Sequence, residues 1–537
     1  MSDLHNSTTS TQLGDSKVPL SDTPVTLSES IFTEGATRHS QTSVDLPKEQ
    51  DTELSQLYPD GNDDELIYTP FSETSKKLMV AVTGVTGMLA PFASNIFLPA
   101  LPSVAEDLNS TVSRINVAVS VFMIGMGLAP IFFGPMADQF GRRYPNTIGC
   151  AIAVAASVGC ALANSDSLLL GMRFLQAFGA STTVVVGAGI ISDIYEPAQR
   201  GTALGFFFSA QMLGPVLGTV IGGYIADGLG WRWTFWLTAI ISGISLILLT
   251  FVMPETHRVT VARRRKIPLK GLPEGIHLQP RPPLNWQQVN PFVIAPTMKF
   301  PYVAVPVACM ALIFGAFYSM NTAVSTILSR DYGYSVATIG LCYISIGAGC
   351  ITGSVVSGFM TDFTFNRAVR RRQSVSTEDT DVPTSSPGEK LSVPATDTLP
   401  FEARLPFLVG TMTLFPIGLV TFGWLMHYKV HIAVPLVFQF IVGFCLNGSF
   451  GGFSTYLVDI FTAKSSSITS LANLFRCLYT ALWTGVIEIV MESWGTGWAF
   501  VFLAFTCVVG SAITILLYLK GETWRYNRPP TAFLQIK

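Results

Sequence analysis

Long apolar runs with almost no charge dominate this chain and limit what it can fold into. About twelve such runs occur along the sequence, each with the roughly 20 residues that a helix needs to cross a bilayer. Only 13% of the 537 residues are charged, about half the share in soluble proteins, so much of the surface must meet lipid. The runs are too continuous for alternating strands, which predicts an all-α membrane protein. The predicted spans are 78–101, 113–136, 144–163, 167–192, 201–225 and 231–253, then 301–328, 336–360, 405–426, 432–456, 466–490 and 496–519.

Two local patterns in the first six runs recur in the last six. The pattern G-x-M-x-D closes an apolar run at 134–138 and again at 358–362, and arginines follow it both times. Asp193 and Asp459 each end a later run. Recurrence in the same order predicts two related halves of six helices, an arrangement typical of transporters. Transport is therefore the first function to test.

Polar segments divide the chain further. Residues 1–75 are acidic, rich in Ser and Thr, and without an apolar run, which predicts a disordered cytoplasmic tail. The predicted division is that tail (1–75), a six-helix half (76–253), a cytoplasmic linker (254–300), a second six-helix half (301–519) with a cytoplasmic loop insertion (361–404), and a cytoplasmic tail (520–537).

The basic residues between the runs predict the orientation. Arg142, Arg143, Arg200 and the arginines at 263–265 fall in connections on one side, and the other side has few basic residues. Basic loops remain cytoplasmic, so we predict that both termini are cytoplasmic and that the protein lies in the plasma membrane. Asn109, which begins N-S-T in the first outward loop, is a candidate glycosylation site.

The loop after the second run carries the most specific pattern. Residues 134–143 have the sequence G-P-M-A-D-Q-F-G-R-R. This resembles the loop signature of the major facilitator superfamily, with Met and Gln at two positions where that signature differs. Glycines permit a tight turn between helices, and a carboxylate at a helix end can pair with arginine. The resemblance implies a cytoplasmic ion-pair latch of Asp138, Arg142 and Asp193 that breaks as the two halves rock.

Two further motifs lie in the runs where this family carries them. Arg173-Phe-Leu-Gln176 places an arginine inside the fourth run, where facing lipid would cost at least about 2.5 kcal/mol, so it should face the interior or water. The family links it to proton coupling. Residues 214–223, G-P-V-L-G-T-V-I-G-G, are similar to the signature of twelve-helix drug:proton antiporters, with Thr in place of the second Pro. Residues 473–476 resemble the fungal quinidine-resistance type of multidrug and metabolite exporter.

The candidate functional residues form three sets. The gate and coupling set is Gly134, Asp138, Gly141, Arg142, Arg143, Arg173, Gln176, Asp193, Arg200, Asp362, Asp459 and Arg476. The antiporter-motif set is Gly214, Pro215, Gly218, Gly222 and Gly223. The third set, polar side chains expected to line a substrate cavity between the halves, is Asn95, Gln211, Tyr318, Asn321, Gln439, Asn447 and Asn473. No histidine falls inside a predicted span, which leaves carboxylates as the proton carriers.

The resemblance implies a secondary active transporter that exports small lipophilic or amphiphilic molecules, such as drugs, toxins or secondary metabolites, in exchange for protons. Two alternatives stay open: an importer or organic-acid carrier on the same fold, and a ligand sensor that does not transport. The sequence contains no nucleotide-binding loop, metal-ligand cluster or nucleophile–base pair, so we predict no enzyme, no cofactor, no metal and no nucleic-acid partner. The predicted partners are the substrate, protons and the lipid bilayer, with a monomer as the working unit.

Overall fold

The apolar runs fold as helices. The computed structural model describes residues 67–270, 296–378, 401–460 and 465–527. Within these ranges, eleven helical segments are long and apolar enough to cross a membrane. The remaining predicted span lies in the helix Pro197–Leu229, whose apolar stretch among the fully described residues is Leu213–Leu229. The prediction of an all-α membrane protein is confirmed.

The helices are numbered in chain order. In the first half they are α1 (Glu73–Gly87), α2 (Leu89–Asn95), α3 (Leu101–Asp107), α4 (Val112–Phe140), α5 (Arg143–Ala161), α6 (Asp166–Ile194), α7 (Pro197–Leu229) and α8 (Arg232–Ile247). They continue as α9 (Arg258–Arg265), α10 (Pro301–Tyr332), α11 (Val336–Glu378), α12 (Leu405–His427), α13 (Ala433–Ile460), α14 (Ser465–Trp494) and α15 (Thr496–Asn527). A π-helical turn, Leu248–Val252, extends α8, and a 3₁₀ turn, Phe401–Arg404, precedes α12.

The first predicted span is broken rather than continuous. It consists of α1, α2, a 3₁₀ turn at Leu98–Ala100 and α3. Pro91, Pro99 and Pro102 fall in this stretch, and proline cannot donate the backbone hydrogen bond that a continuous helix needs. The break leaves polar groups in the interior, where the amide of Asn95 donates to the Pro91 carbonyl at 2.8 Å.

Each half packs within itself, and the halves meet along two helix pairs. Within the halves, α4 packs on α6 and α11 packs on α13. Between them, α4 packs on α14 and α7 packs on α11. Glycines allow this close approach: a Cβ at Gly127 would lie 2.8 Å from the Cβ of Cys477, and one at Gly223 would lie 3.0 Å from the Cα of Gly340. We name the two ends of the bundle after residues there, the Arg142 end and the Trp231 end.

Three helices occupy segments that were predicted as linker, loop or tail. Helix α9 lies in the linker 254–300, α11 runs on to Glu378 inside the loop 361–404, and α15 runs on to Asn527. The end of α15 is fixed by Arg525, whose Nη2 lies 3.0 Å from the carboxylate of Glu402 in a buried pair. Hydropathy alone ends a helix where charge begins, so it cannot foresee an extension that charged residues stabilise. Of the tail 1–75, only the part from residue 67 lies within the described residues.

Candidate functional site

One arginine lies between two carboxylates at the Arg142 end. The Nη1 atom of Arg142 is 2.5 Å from Asp138 at the end of α4, and its Nε is 2.7 Å from Asp193 at the end of α6. The Asp138 side chain is 60% exposed and that of Asp193 only 13%, so solvent screens the bond to Asp193 less. Burial acts to lower the pKa of Arg142, but Asp193 and Asp138 outweigh burial and raise the pKa. The three residues of the predicted latch thus lie together, and all belong to the first half.

A buried glutamate, which the sequence analysis did not single out, holds the same loop. The carboxylate of Glu255 accepts backbone N–H groups from Arg142 at 2.8 Å and from Arg143 at 3.4 Å. Gly141 turns the chain at φ +94°, and a Cβ there would lie 2.3 Å from a Glu255 carboxylate oxygen. Glycine is therefore required at position 141 both for its backbone conformation and for space. In the sequence, Glu255 is an acidic residue directly after the sixth predicted span. It lies 113 and 112 positions from Arg142 and Arg143, whose N–H groups at a helix start need an acceptor.

His257 adjoins this cluster. Its ring lies 2.9 Å from the Thr260 hydroxyl. Burial lowers the pKa of His257, and the positive charge of Arg142 lowers it further, against the opposing effect of nearby carboxylates. The ring is therefore neutral at neutral pH.

The second half has ion pairs of its own at the same end. Arg404 lies 3.0 Å from Asp459, with the Arg404 side chain 10% exposed. Sequence reasoning marked Asp459 but not its partner, which precedes α12 by one residue and is far away in the sequence. The side chains of Arg200 and Asp362 lie outside the residues described in atomic detail, while Arg143 donates to the Thr250 carbonyl.

The glycines of α7 form a ladder against the broken first span. A Cβ at Gly214, Gly218 and Gly222 would lie 3.0, 2.8 and 2.1 Å from the carbonyl oxygens of Met88, Phe92 and Ile96, respectively. The four-residue spacing repeats on both sides, so the two backbones run in contact along two helical turns. Gly223 extends the contact to α11 in the other half. Thr219, in place of the usual proline, donates to the Pro215 carbonyl at 3.0 Å.

Comparison with known proteins decides the family. The profile of the Major Facilitator Superfamily matches residues 83–376. The chain belongs to this superfamily. It is 30% identical over 479 residues to citrate exporter 1 of Aspergillus niger, covering 85% of this chain and 88% of that protein. It is 29% identical over 494 residues to quinidine resistance protein 1 of Saccharomyces cerevisiae, covering 87% of each. The partially occluded, inward-open structure of the E. coli xylose transporter XylE superposes with a TM-score of 0.59 at 14% identity, covering 85% of this chain and 98% of that one.

Membership confirms the resemblance found in the sequence. A member of the major facilitator superfamily with homologues of this kind is a secondary transporter that carries small molecules, and it is not an enzyme. The solved xylose transporter is too distant in sequence to indicate more than the shared fold.

The arginine of the fourth span is enclosed within the first half of this superfamily fold. Arg173 is fully buried, and its Nη1 donates to the Ala93 carbonyl at 2.9 Å and to the Gln176 amide oxygen at 2.8 Å. The Gln176 amide donates in turn to Ser157 at 2.9 Å. Rings of three phenylalanines from three other spans lie within 6 Å of the guanidinium: Phe97, Phe122 and Phe235. The side chain thus faces the interior, where cation–π contacts compensate part of its burial.

The predicted cavity residues differ in their partners. Tyr318 of α10 faces Asn95 of the first span across the boundary between the halves. Asn447 instead donates to the Cys350 carbonyl at 3.1 Å, so it joins α13 to α11 within the second half. Gln439 is fully buried, and neither its amide oxygen nor its amide nitrogen has a hydrogen-bond partner among the described residues. The Gln211 amide nitrogen and the Asn321 side-chain oxygen are also buried without a hydrogen-bond partner among the described residues.

Polar side chains join the halves towards the Trp231 end. Asn116 of α4 donates to the carboxylate of Glu488 on α14 at 3.4 Å, and the hydroxyls of Ser120 and Thr484 are 2.9 Å apart. Glu488 is 1% exposed. The set of candidate gate and coupling residues did not include it. The signal was present, because each helix carries its two polar residues four positions apart within an apolar run and so on one face.

Proposed function

We propose that this transporter exports small lipophilic or amphiphilic molecules from the cytoplasm in exchange for protons. The observation that carries the proposal is the position of Glu488, a carboxylate buried where α4 and α14 join the two halves. Export as the direction is supported by relatives named as citrate exporter and quinidine resistance protein, and by the glycine ladder of the antiporter motif in α7.

Proton exchange follows from what burial does to a carboxylate. An ionised carboxylate buried without a full set of partners is costly, whereas a protonated one is tolerated. Separation of the halves at the Trp231 end would expose Glu488 to water, and closure would bury it again. Two charged groups also interact electrostatically with Glu488 from a distance. They are Arg330 on α10 and Glu492, which lies on α14 with Glu488. Protonation of Glu488 therefore favours closure at that end.

We assign the Arg142 end to the cytoplasm, with both termini on that side, and the protein to the plasma membrane as a monomer. The Trp231 end is closed in this structure, since Ser325 of α10 donates to the Pro99 carbonyl of the first span at 3.2 Å. Asn109 lies there, exposed and in a left-handed conformation at φ +49°. In this orientation it faces outward and remains a glycosylation candidate.

The test measures cellular accumulation of a panel of lipophilic cations, neutral amphiphiles and carboxylates in a pump-deficient yeast. Cells express the wild type, Glu488→Gln or the control Glu106→Gln, which changes an exposed carboxylate of α3 at the same end of the bundle. We expect the wild type and the control to lower accumulation of at least one compound, with the effect abolished by a protonophore and by Glu488→Gln. Increased accumulation would instead identify an importer. Export that persists in Glu488→Gln with a protonophore present would contradict the proton mechanism.

A further inference from the structure

Arg476 lies inside α14, with its guanidinium close to two aromatic rings. Its guanidinium carbon is 4.0 Å from the centroid of the Phe314 ring and 5.1 Å from that of Phe450. One Nη donates to the Asn473 side-chain oxygen. The Nε atom is buried without a hydrogen-bond partner, and within the described ranges no carboxylate lies at ion-pair distance from Arg476.

The energetics point to a missing partner. An arginine inside a membrane helix is costly, and aromatic contacts attract its charge but accept none of its N–H groups in the plane of the guanidinium. The aromatic rings approach the guanidinium and leave part of its donor fork unused. That fork matches the two oxygens of a carboxylate, which it binds with two parallel hydrogen bonds.

Arg476 lies where the two halves meet. Asn473, which positions the guanidinium, also donates to the Met126 carbonyl of α4 at 3.4 Å, so Arg476 lies near the boundary between the halves. The Tyr318 ring stacks 4.9 Å from Phe314 and faces Asn95 of the other half. Arg476 is only partly buried, whereas Arg173, the other arginine deep in a span, is fully buried among helices of the first half.

We propose that Arg476 binds the carboxylate of an amphiphilic organic acid, with Phe314 and Phe450 against its apolar part. This inference rests on the proposed function, because it names the substrate class that the exporter carries. A single cation in an aromatic setting fits one carboxylate on an apolar body. It does not match a polyanion, for which one arginine leaves further charges buried and unpaired.

Binding to the full-length protein in lipid nanodiscs tests the site, with empty nanodiscs subtracted. The probes are octanoate, octanamide and octylammonium, which share one apolar chain and differ in charge. We expect saturable binding of octanoate only. Arg476→Gln should weaken it about 30- to 100-fold, the loss of a charge-assisted bidentate contact, and Arg476→Lys should weaken it less. The control Arg114→Gln, which changes an arginine with a 69% exposed side chain, should bind as the wild type does.

Wild-type octanoate binding that survives Arg476→Gln, or octanamide binding as tight as that of octanoate, would overturn the proposal. If Arg476→Gln does not fold, two other measurements still test the site. They are the preference of the wild type for octanoate over octanamide and octylammonium, and the weaker octanoate binding of Arg476→Lys. Octanoate that binds through Arg476 but is not exported in the yeast assay would refute the transport proposal alone. Normal protonophore-sensitive export of neutral compounds without octanoate binding would refute only the carboxylate site.

Discussion

Glu255→Ala removes one carboxylate that accepts hydrogen bonds from two separate segments of backbone. The oxygens of Glu255 accept from Arg142 and Arg143 at the start of α5, and from Thr256 and His257 at 3.0 and 2.9 Å. The residue is 8% exposed. Loss of the Glu255 carboxylate therefore leaves four backbone N–H groups without their acceptor in a largely buried site. The substitution also removes the contact that holds the loop orienting the Arg142 side chain.

The magnitude follows from these contacts. A buried donor left unsatisfied costs about 1–3 kcal/mol, and a carboxylate at a helix N-terminus adds about 0.3–1 kcal/mol through the helix dipole. Three of the four bonds from Glu255 are 3.0 Å or shorter. Because the cluster lies near the end of the bundle and water can replace part of the lost acceptor, we expect Glu255→Ala to cost about 3–4 kcal/mol. Glu255→Gln keeps one oxygen acceptor and should cost about half as much.

The measurement is the free energy of unfolding of the purified full-length protein, from a denaturant titration in mixed micelles followed by tryptophan fluorescence. Glu106→Ala is the control, since it removes an exposed glutamate at the opposite end of the bundle. The order of stability should be wild type and Glu106→Ala first, then Glu255→Gln, then Glu255→Ala. If Glu255→Ala unfolds within about 0.5 kcal/mol of the wild type, the usual range for surface changes, the carboxylate does not hold the loop and the reasoning fails.

Three further outcomes follow from local geometry. Gly141→Ala should lower the apparent melting temperature strongly, because residue 141 has φ +94° and its Cβ would lie 2.3 Å from a carboxylate oxygen of Glu255. The control Gly134→Ala should not lower it, because the nearest atom to its Cβ would be 3.8 Å away. Gly222→Ala should abolish export in the yeast assay, because its Cβ would lie 2.1 Å from a backbone oxygen of the first span, whereas Gly228→Ala on the same helix meets nothing within 4 Å and should export normally. His257 has a lowered pKa in the folded protein, so its contribution to stability is present above about pH 6.5 and is lost as the pH falls. Melting curves at about pH 7.5 and 5.5 should therefore show a larger loss for the wild type than for His257→Gln. An equal loss in both would contradict this.

Most of the fold could be predicted from sequence because a bilayer permits few solutions. Apolar runs of about 20 residues must become helices, since lipid offers no partner for an unpaired backbone. The misses have local causes. The first span breaks because prolines interrupt it. Helix α15 continues past 519 because Arg525 pairs with Glu402, a contact between residues far apart in sequence that no hydropathy window contains.

The candidate site was less predictable because its partners come from distant segments. The pairing of Arg142 with Asp138 joins the end of α4 to the residue before α5 and follows from their four-residue spacing. The roles of Glu255 and Glu488 were missed, since each depends on a helix more than 100 positions away. Spacing within one run can show that polar residues share a face, but it cannot show which helix that face meets.

The two arginines deep in the spans illustrate the same limit. Both Arg173 and Arg476 stand in apolar runs with an amide three residues away, at Gln176 and Asn473. The sequence analysis placed both in the same set of candidate gate and coupling residues. Both have buried donors without a hydrogen-bond partner, but Arg173 is fully buried within its own half, whereas Arg476 is partly exposed near the boundary between the halves. A cation at the boundary changes its surroundings whenever the halves move, whereas one enclosed within a half keeps its neighbours. Charge recognition of a substrate therefore belongs with Arg476.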